Sequence, residues 1–372
     1  MSNIFKNNKT VLVAMSGGVD SSVTAALLKE QGFNVIGITM RLSDEEDASI
    51  YALPDRSCCS VEMASRARRV CDHLGVPHYV VDFREAFRKQ VKDNFYGQYI
   101  NGMTPNPCVR CNTHIKWKPL VRKKNILGAD FIATGHYARV VKNEITGAFE
   151  LHRGVDRRKE QTYFLWGLTG ELLSFTLFPL GELTKKRVRA LAKKYNLVTA
   201  NTAESQEICF IPDNDYRRYV NERLRLDGKT FNSGEIRDVS GKLLGTHNGY
   251  HNFTIGQRKR LGIAAGKPVY VTEINTDENV VVVGNEDALL SDSLHAESVN
   301  WINGIPAGDD LNAWVKIRYR DPGADAVLQP EGSKNVTVLF KNPVRAVTPG
   351  QSVVFYKDDR VIGGGIISKK AG

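Results

Sequence analysis

The chain has 372 residues, enough at ~150 residues per domain for two or three domains that each bury a core. Hydrophobic residues make up 42%, charged residues 25%, and 32 Gly with 13 Pro lie within ordinary usage, which excludes collagen-like, largely disordered and small disulfide-stapled classes. Lys plus Arg number 51 against 41 Asp plus Glu, and the net charge of +10 suits either a polyanionic partner such as nucleic acid or an ordinary basic enzyme.

No run of about 18 apolar residues occurs, and Met1 to Lys9 carries charge without an apolar core or cleavage site. The expectation is a cytoplasmic protein with no membrane partner. In that compartment six cysteines raise a question of thiol chemistry or metal ligation and not of a disulfide framework.

Taken in chain order, Thr10 to Met15 reads as a buried strand. It runs through Ser16-Gly17-Gly18-Val19-Asp20-Ser21-Ser22 into a helix with Val19, Val23, Ala26 and Leu27 on one face, stopped by Gly32. Asn34 to Met40 is the next strand, Ser60 to Leu74 a helix ended by Gly75, His78 to Phe83 a strand and Asp130 to Thr134 another. This alternation predicts an α/β domain with a doubly wound parallel sheet. Lys159 to Leu226 reads as helical and basic, with Thr184 as N-cap of Lys185 to Tyr195. After Phe231 come glycine-rich turns and short alternating runs at Val269 to Glu273, Val280 to Val283, Ala313 to Tyr319, Val336 to Phe340, Ser352 to Tyr356 and Val361 to Ile367. They predict an antiparallel barrel or sandwich.

The strongest local signal is the segment 16–22. A glycine turn between a strand and a helix N-terminus presents backbone N–H groups and the positive end of the helix dipole, an anion cradle. It lacks the Gly-Lys-Ser/Thr ending of a Walker A loop, which argues against γ-phosphate hydrolysis. It resembles instead the pyrophosphate loop of ATP pyrophosphatases, which cleave between the α- and β-phosphates. That resemblance makes Asp20 a holder of Mg²⁺ and Ser16, Ser21 and Ser22 donors to phosphate oxygens.

The second signal is the cysteines. Thr104-Pro105-Asn106-Pro107-Cys108-Val109-Arg110-Cys111-Asn112 reads as a proline-fixed loop with two thiols three apart, beside an arginine whose charge favours thiolate. Cys209 sits in the apolar, strand-like run Ile208-Cys209-Phe210-Ile211. Two structural alternatives stand beside these: Cys209 as a core thiol, and Cys108, Cys111 and His114 as zinc ligands. Cys71 lies on a helix face with Leu74 and reads as core, and Cys58-Cys59 as a loop pair.

Basic residues gather at Arg110, Lys116, Lys118 and 122–124, at Arg153 and 157–159, at 185–189 and at 258–260, with Trp117, Tyr163, Phe164 and Trp166 as candidate base-stacking partners. Each cluster taken singly also reads as a solvated face, and each aromatic as core. Together, an ATP loop, paired thiols and a basic surface suit one chemistry: a carbonyl oxygen is adenylated to make it a leaving group, and sulfur from a cysteine persulfide replaces it.

Several separated motifs then resemble one family, the MnmA-type tRNA 2-thiouridylases: 16–22, Thr-Pro-Asn-Pro-x-x-x-Cys-Asn at 104–112, Ala-Thr-Gly-His-Tyr at 133–137, Lys-x-Gln-x-Tyr-Phe-Leu at 159–165, Ile-Cys-Phe-Ile at 208–211, Gly-Gln-Arg at 256–258 and Ala-Val-Thr-Pro-Gly-Gln at 346–351. The resemblance implies a pyrophosphate-loop catalytic domain (1–212), a small middle domain (213–272) and a C-terminal antiparallel β-barrel (273–372) that thiolate the wobble uridine (U34) of tRNA. It places ATP on Ala14, Met15, Ser16, Gly17, Gly18, Val19, Asp20, Ser21, Met40 and Gly135. It makes Cys111 the nucleophile and Cys209 the persulfide carrier, a pair that forms a disulfide in turnover. Asn106, Pro107 and Cys108 would meet the target base, and His136, Lys159, Glu160, Gln161, Arg320, Asp321 and Gln351 would contact tRNA. A sulfur-carrier protein is the implied persulfide donor. The chain departs from the family in one place, with Cys108 where many members have Asp. That departure creates a three-cysteine set with Cys111 and Cys209 and, beside the persulfide relay, the alternative of a 4Fe–4S cluster. The rivals are another pyrophosphate-loop ligase, which needs an amino-donor site that the chain does not show, and a nucleotide-sensing RNA-binding protein, which has no use for the two thiols.

Overall fold

The computed structural model describes residues 8–43, 61–203, 208–211, 213–264, 266–306 and 311–369. Strand β1 (Thr10–Ala14) is apolar along its length because both its faces are covered: Val11 and Val13 pack into one helical layer and Leu12 into the other, all three fully buried. It leads through the glycine turn into α1 (Val19–Glu30), followed by β2 (Asn34–Arg41), α2 (Val61–Leu74) and β3 (His78–Asp82). Gly32, at φ +87, ends α1 as the sequence predicts. Two helical rods come next, α3 over 84–100 and α4 over 107–126, each with a π-helical stretch, Arg88–Lys92 in one and Cys111–Trp117 in the other. Pro119 has no N–H to give Ile115, and its ring would press on that carbonyl; the widened turn ahead of it relieves both.

After β4 (Phe131–Ala133) the chain makes a hairpin, β5 (Ala138–Lys142) and β6 (Phe149–Arg153), then returns with the two-residue β7 (Thr176–Leu177), α5 (Lys185–Lys194) and α6 (Tyr216–Leu226). The sheet runs β3-β2-β1-β4-β7, with every pairing parallel. Strands β8 (Gly234–Asp238), β9 (Leu243–His247), β10 (Tyr270–Asn275) and β11 (Val280–Gly284) form a second sheet, ordered β10-β11-β8-β9, around Ile236, Val271, Val281 and Val283.

Six strands, β12 (Leu290–Trp301), β13 (Leu311–Lys316), β14 (Ala324–Glu331), β15 (Asn335–Arg345), β16 (Ser352–Lys357) and β17 (Arg360–Ile367), close into an antiparallel barrel through the β12–β17 pairing. The β5–β6 hairpin belongs to this third sheet, since Val361 of β17 pairs with Leu151 of β6. A shared core of Trp117, Tyr163, Trp166, Leu151, Val354 and Tyr356 welds it to the N-terminal domain.

Three expectations change. The 104–112 loop becomes helix at Pro107, because a proline at the first helical position costs no hydrogen bond and the Asn106 side chain accepts from the Val109 N–H as N-cap. Residues 208–211 form a turn and not a strand, with Ile211 N–H donating back to Ile208 O. Between 159 and 226, helix is confined mainly to α5 and α6, with a single turn at Gly170–Ser174 and a 3₁₀ turn at Thr162–Phe164.

Candidate active site

The phosphate loop is built mainly from backbone. Gly17 has φ +72, and a Cβ there would lie 2.3 Å from the Met63 carbonyl oxygen of α2, so only glycine makes this turn. Gly18 precedes α1 with no side chain capping the helix. The first N–H groups of α1 have no intrahelical acceptors, which is the arrangement that binds phosphate oxygens. Ser16 and Ser21 hydroxyls lie 3.2 Å apart, Ser21 Oγ accepts from the Ser16 N–H at 3.2 Å, and Ser22 Oγ donates to Gly18 O at 2.8 Å. Met15 is buried, and Met40 packs at the neighbouring end of β2. Gly135 approaches the loop so closely that a Cβ would fall 2.9 Å from the Ser21 nitrogen.

Asp20 is held from two directions. Lys185 Nζ lies 2.8 Å from both its carboxylate oxygens, and Tyr137 OH donates to Oδ1 at 2.9 Å. The loop thus has a lysine after all, delivered from the first turn of α5, 165 residues along the chain. In the sequence Lys185 is one of a basic run that reads as RNA surface; its place directly after the Thr184 N-cap is the only local hint that it sits on a fixed helix end. The donor set fits a magnesium nucleotide: uncapped N–H groups, the Ser16 and Ser21 hydroxyls, one carboxylate and one ammonium. Ser22, expected as a third hydroxyl donor, is fully buried with its proton given to Gly18 O and braces the turn instead.

Cys108 and Cys111 lie on the first turn and a half of α4. Cys111 is buried, and burial raises its thiol above the ordinary range despite nearby Lys116. Cys108 opens to solvent, but protein atoms crowd its sulfur; desolvation, then the neighbouring Cys111, pushes it up to about 11. The expected thiolate-stabilising arginine is absent from this pair: Arg110 Nε donates to Gln90 O, and Lys116 is the cation that favours ionisation. Cys209 is half-buried against the apolar cluster that encloses Cys111, with Phe87, Phe95 and Phe210. Among the described residues no three His, Cys, Asp or Glu side chains converge as metal ligands. Neither the 4Fe–4S alternative nor the zinc alternative therefore finds its ligands assembled here. Cys71 is core, as expected, and Cys58-Cys59 lie outside the described residues.

Hydrogen bonds connect the two centres. Tyr137, which reaches Asp20 with its hydroxyl, takes the Gln161 side chain on its N–H (3.0 Å) and the Gln161 N–H on its carbonyl (3.1 Å). The Phe164 N–H donates to Gln161 O, and Phe164 O accepts from the Asn112 side chain at 2.9 Å, next to Cys111.

The residues expected at tRNA divide. Arg320 is exposed, Lys159 half-buried, and Asp321 holds the Ile317 N–H at 3.1 Å. Glu160 is 3% exposed; its carboxylate receives the Thr162 N–H and hydroxyl and faces Arg153, so it is a core group. His136 packs against Trp117 and Phe178 with Thr134 Oγ1 2.7 Å from Nδ1, and burial keeps its pKa well below the imidazole range. Gln351 donates to the carbonyls of Thr104 and Pro105. Trp117, Tyr163 and Trp166 are buried, leaving Phe164 as the half-exposed ring of the four. Arg189 and Arg157 are spent on Ala200 and Thr202 carbonyls and on Asp359. A recess of about 330 Å³ in the middle domain is lined by Arg258, Arg260 and Lys267, and none of its lining residues belongs to the phosphate loop or to α4.

Fold and site define a class: an α/β enzyme with an ATP-type phosphate loop and a paired-cysteine centre, carrying two appended β domains. Family models match in the same order, the tRNA methyl transferase HUP domain over 9–213, its PRC-barrel domain over 226–285 and the aminomethyltransferase β-barrel domain over 291–367. Curated proteins called tRNA-specific 2-thiouridylase MnmA are similar along nearly the whole chain. That of Carboxydothermus hydrogenoformans is 50% identical, covering 97% of this chain and 98% of its own, and that of Geotalea uraniireducens 49% identical, covering 97% and 96%. The chain belongs to the MnmA family of tRNA-specific 2-thiouridylases.

Proposed function

We propose that the protein uses ATP to convert the C2 carbonyl of the wobble uridine in tRNA to a thiocarbonyl, releasing AMP and pyrophosphate. The observation that carries this reading is the hydrogen-bonded path from Asp20 through Tyr137 and Gln161–Phe164 to Asn112, which fixes a phosphate loop and a paired-cysteine centre in one frame.

The uridine O2 attacks the α-phosphate, the bond to the β-phosphate breaks, and pyrophosphate leaves. Serine hydroxyls and α1 N–H groups bind the phosphate oxygens, and Lys185 supplies positive charge as the pyrophosphate departs. Mg²⁺, held through Asp20, would neutralise phosphate charge when bound. The terminal sulfur of a persulfide on Cys209, loaded by a donor protein, adds to C2, and the C2–O bond breaks to expel AMP. Cys111 then attacks the Cys209 sulfur: the carrier S–S bond breaks, sulfur stays on C2, and a Cys111–Cys209 disulfide remains for an external thiol to reduce. The elevated Cys111 pKa suits a group that stays protonated until the base is seated. Asn106, Pro107 and Cys108 line the base side, and Arg320, Lys159 and the Arg258–Arg260 recess form the tRNA face. Incubation with unmodified tRNA, Mg-ATP and a persulfide donor should yield 2-thiouridine and AMP in equal amounts. ADP as product, or unmodified tRNA, would refute the reading.

A further inference from the structure

The C-terminal barrel clamps the segment that begins the cysteine helix. Residues 104–106 have no regular structure, and Pro105 and Pro107 have no N–H, so the Thr104 and Pro105 carbonyls need donors from elsewhere. Gln351 supplies both from one carboxamide, with Nε2 3.1 Å from Thr104 O and 3.0 Å from Pro105 O, and the Thr104 N–H donates to Pro349 O at 2.9 Å. Gln351 is itself fixed: its carbonyl accepts from Ile367 N–H at 2.8 Å and its N–H donates to Thr348 O. Gly350, at φ +88, allows the approach, since a Cβ there would lie 2.9 Å from Thr104 O.

What the clamp holds is directly upstream of the thiols. Asn106 caps the turn that carries Cys108 and leads to Cys111. One residue past Gln351, Ser352 O accepts the Tyr163 hydroxyl at 2.8 Å, and the Phe164 carbonyl holds Asn112. Both flanks of Cys111 are therefore anchored to the start of β16.

We propose that Gln351 is a positioning residue for the cysteine centre, so that the barrel is part of the catalytic frame as well as a tRNA-facing domain. This rests on the thiolation reading for its consequence in turnover, but not for its structural test. A tRNA contact by the Gln351 amide would compete for the two N–H groups that hold the loop.

The experiment compares the parent with Gln351→Met, which keeps length and loses the donors, and Gln351→Glu, which sets a carboxylate against two carbonyls. Amide hydrogen exchange of 106–112 and iodoacetamide labelling of Cys111 are measured in the tRNA-free protein, then kcat and KM for tRNA. Exchange and labelling should quicken roughly tenfold in the Met variant and further in the Glu variant, with β16 amides unchanged. The kcat should fall by a similar factor at constant KM. Unchanged exchange and labelling, with the loss confined to KM, would overturn the proposal. If β16 protection also fell, Gln351→Asn would take their place, with an intermediate rise at 106–112 expected and none contradicting the proposal. A parent enzyme that made no 2-thiouridine would refute the thiolation reading alone, because exchange and labelling require no tRNA.

Discussion

The phosphate loop and the cysteine centre are built in opposite ways. Seven consecutive residues, Ser16 to Ser22, form most of the first, and its ligands are largely backbone N–H groups set by one positive φ at Gly17. The second is gathered from four places: 104–112, 161–164, 208–211 and 349–352. A site made of backbone travels as a short motif, whereas a site made of side chains exists only when the fold brings distant segments together. In the proposed function the difference also separates two half-reactions, activation at the loop and sulfur delivery at the thiols, so that each should be open to disruption without the other.

The largest effect is expected at the thiols. Cys209→Ser or Cys111→Ser should lower 2-thiouridine formation by at least ~1,000-fold while pyrophosphate release continues within a small factor of the parent, because delivery follows activation. Loss of pyrophosphate release in these variants would mean that the two centres are not separable. Next come the loop charges. Asp20→Asn and Lys185→Met should each reduce AMP formation on the order of 100- to 1,000-fold and leave tRNA affinity unchanged. Their double variant should lose less than the product of the two, since the groups pair at 2.8 Å; strict additivity would assign them independent roles.

A smaller effect concerns stability in the middle domain. Burial, then neighbouring His247, holds His251 at about 4, and its Nε2 lies 2.8 Å from Asn221 Oδ1 while Nδ1 has no partner among the described residues. The folded pKa is below the unfolded one, so the neutral ring stabilises fully above pH ~6.5 and that stabilisation, at most ~3 kcal/mol, is lost as pH falls toward 4. His251→Gln should flatten the decline in Tm between pH 7 and pH 4.5; an unchanged slope would place the titration elsewhere. Smallest of all, Cys108→Asp should keep thiolation within about fivefold of the parent, because Cys108 stands at the solvent side of α4 and no metal-ligand group forms around it among the described residues. Bound iron in the purified parent, lost together with activity in this variant, would restore the cluster alternative.

What the sequence reveals follows the same division. The parallel sheet, the glycine loop, the Thr184 cap and most barrel strands are legible because each depends on neighbours within a few residues. The β5–β6 hairpin does not announce that it joins the barrel, since its partner β17 is over 200 residues away. Strand β12 is hidden by its polar, bulged sequence, in which Ser, Asp, His and Glu interrupt the apolar positions. At the site, Asp20 is legible from its motif but Lys185 and Tyr137 are not, because their pairing is purely tertiary. Glu160 and His136, expected at tRNA, are drawn inward by Thr162 and by Trp117 with Phe178, contacts that no local pattern encodes.

The central claim is that the uridine oxygen itself is activated by the phosphate loop before sulfur arrives. Its most direct test is the reaction of tRNA carrying ¹⁸O at uridine C2, with the AMP analysed by mass spectrometry. The account predicts one ¹⁸O atom in the AMP phosphate for each 2-thiouridine formed; label found in water, or AMP free of label, would contradict it.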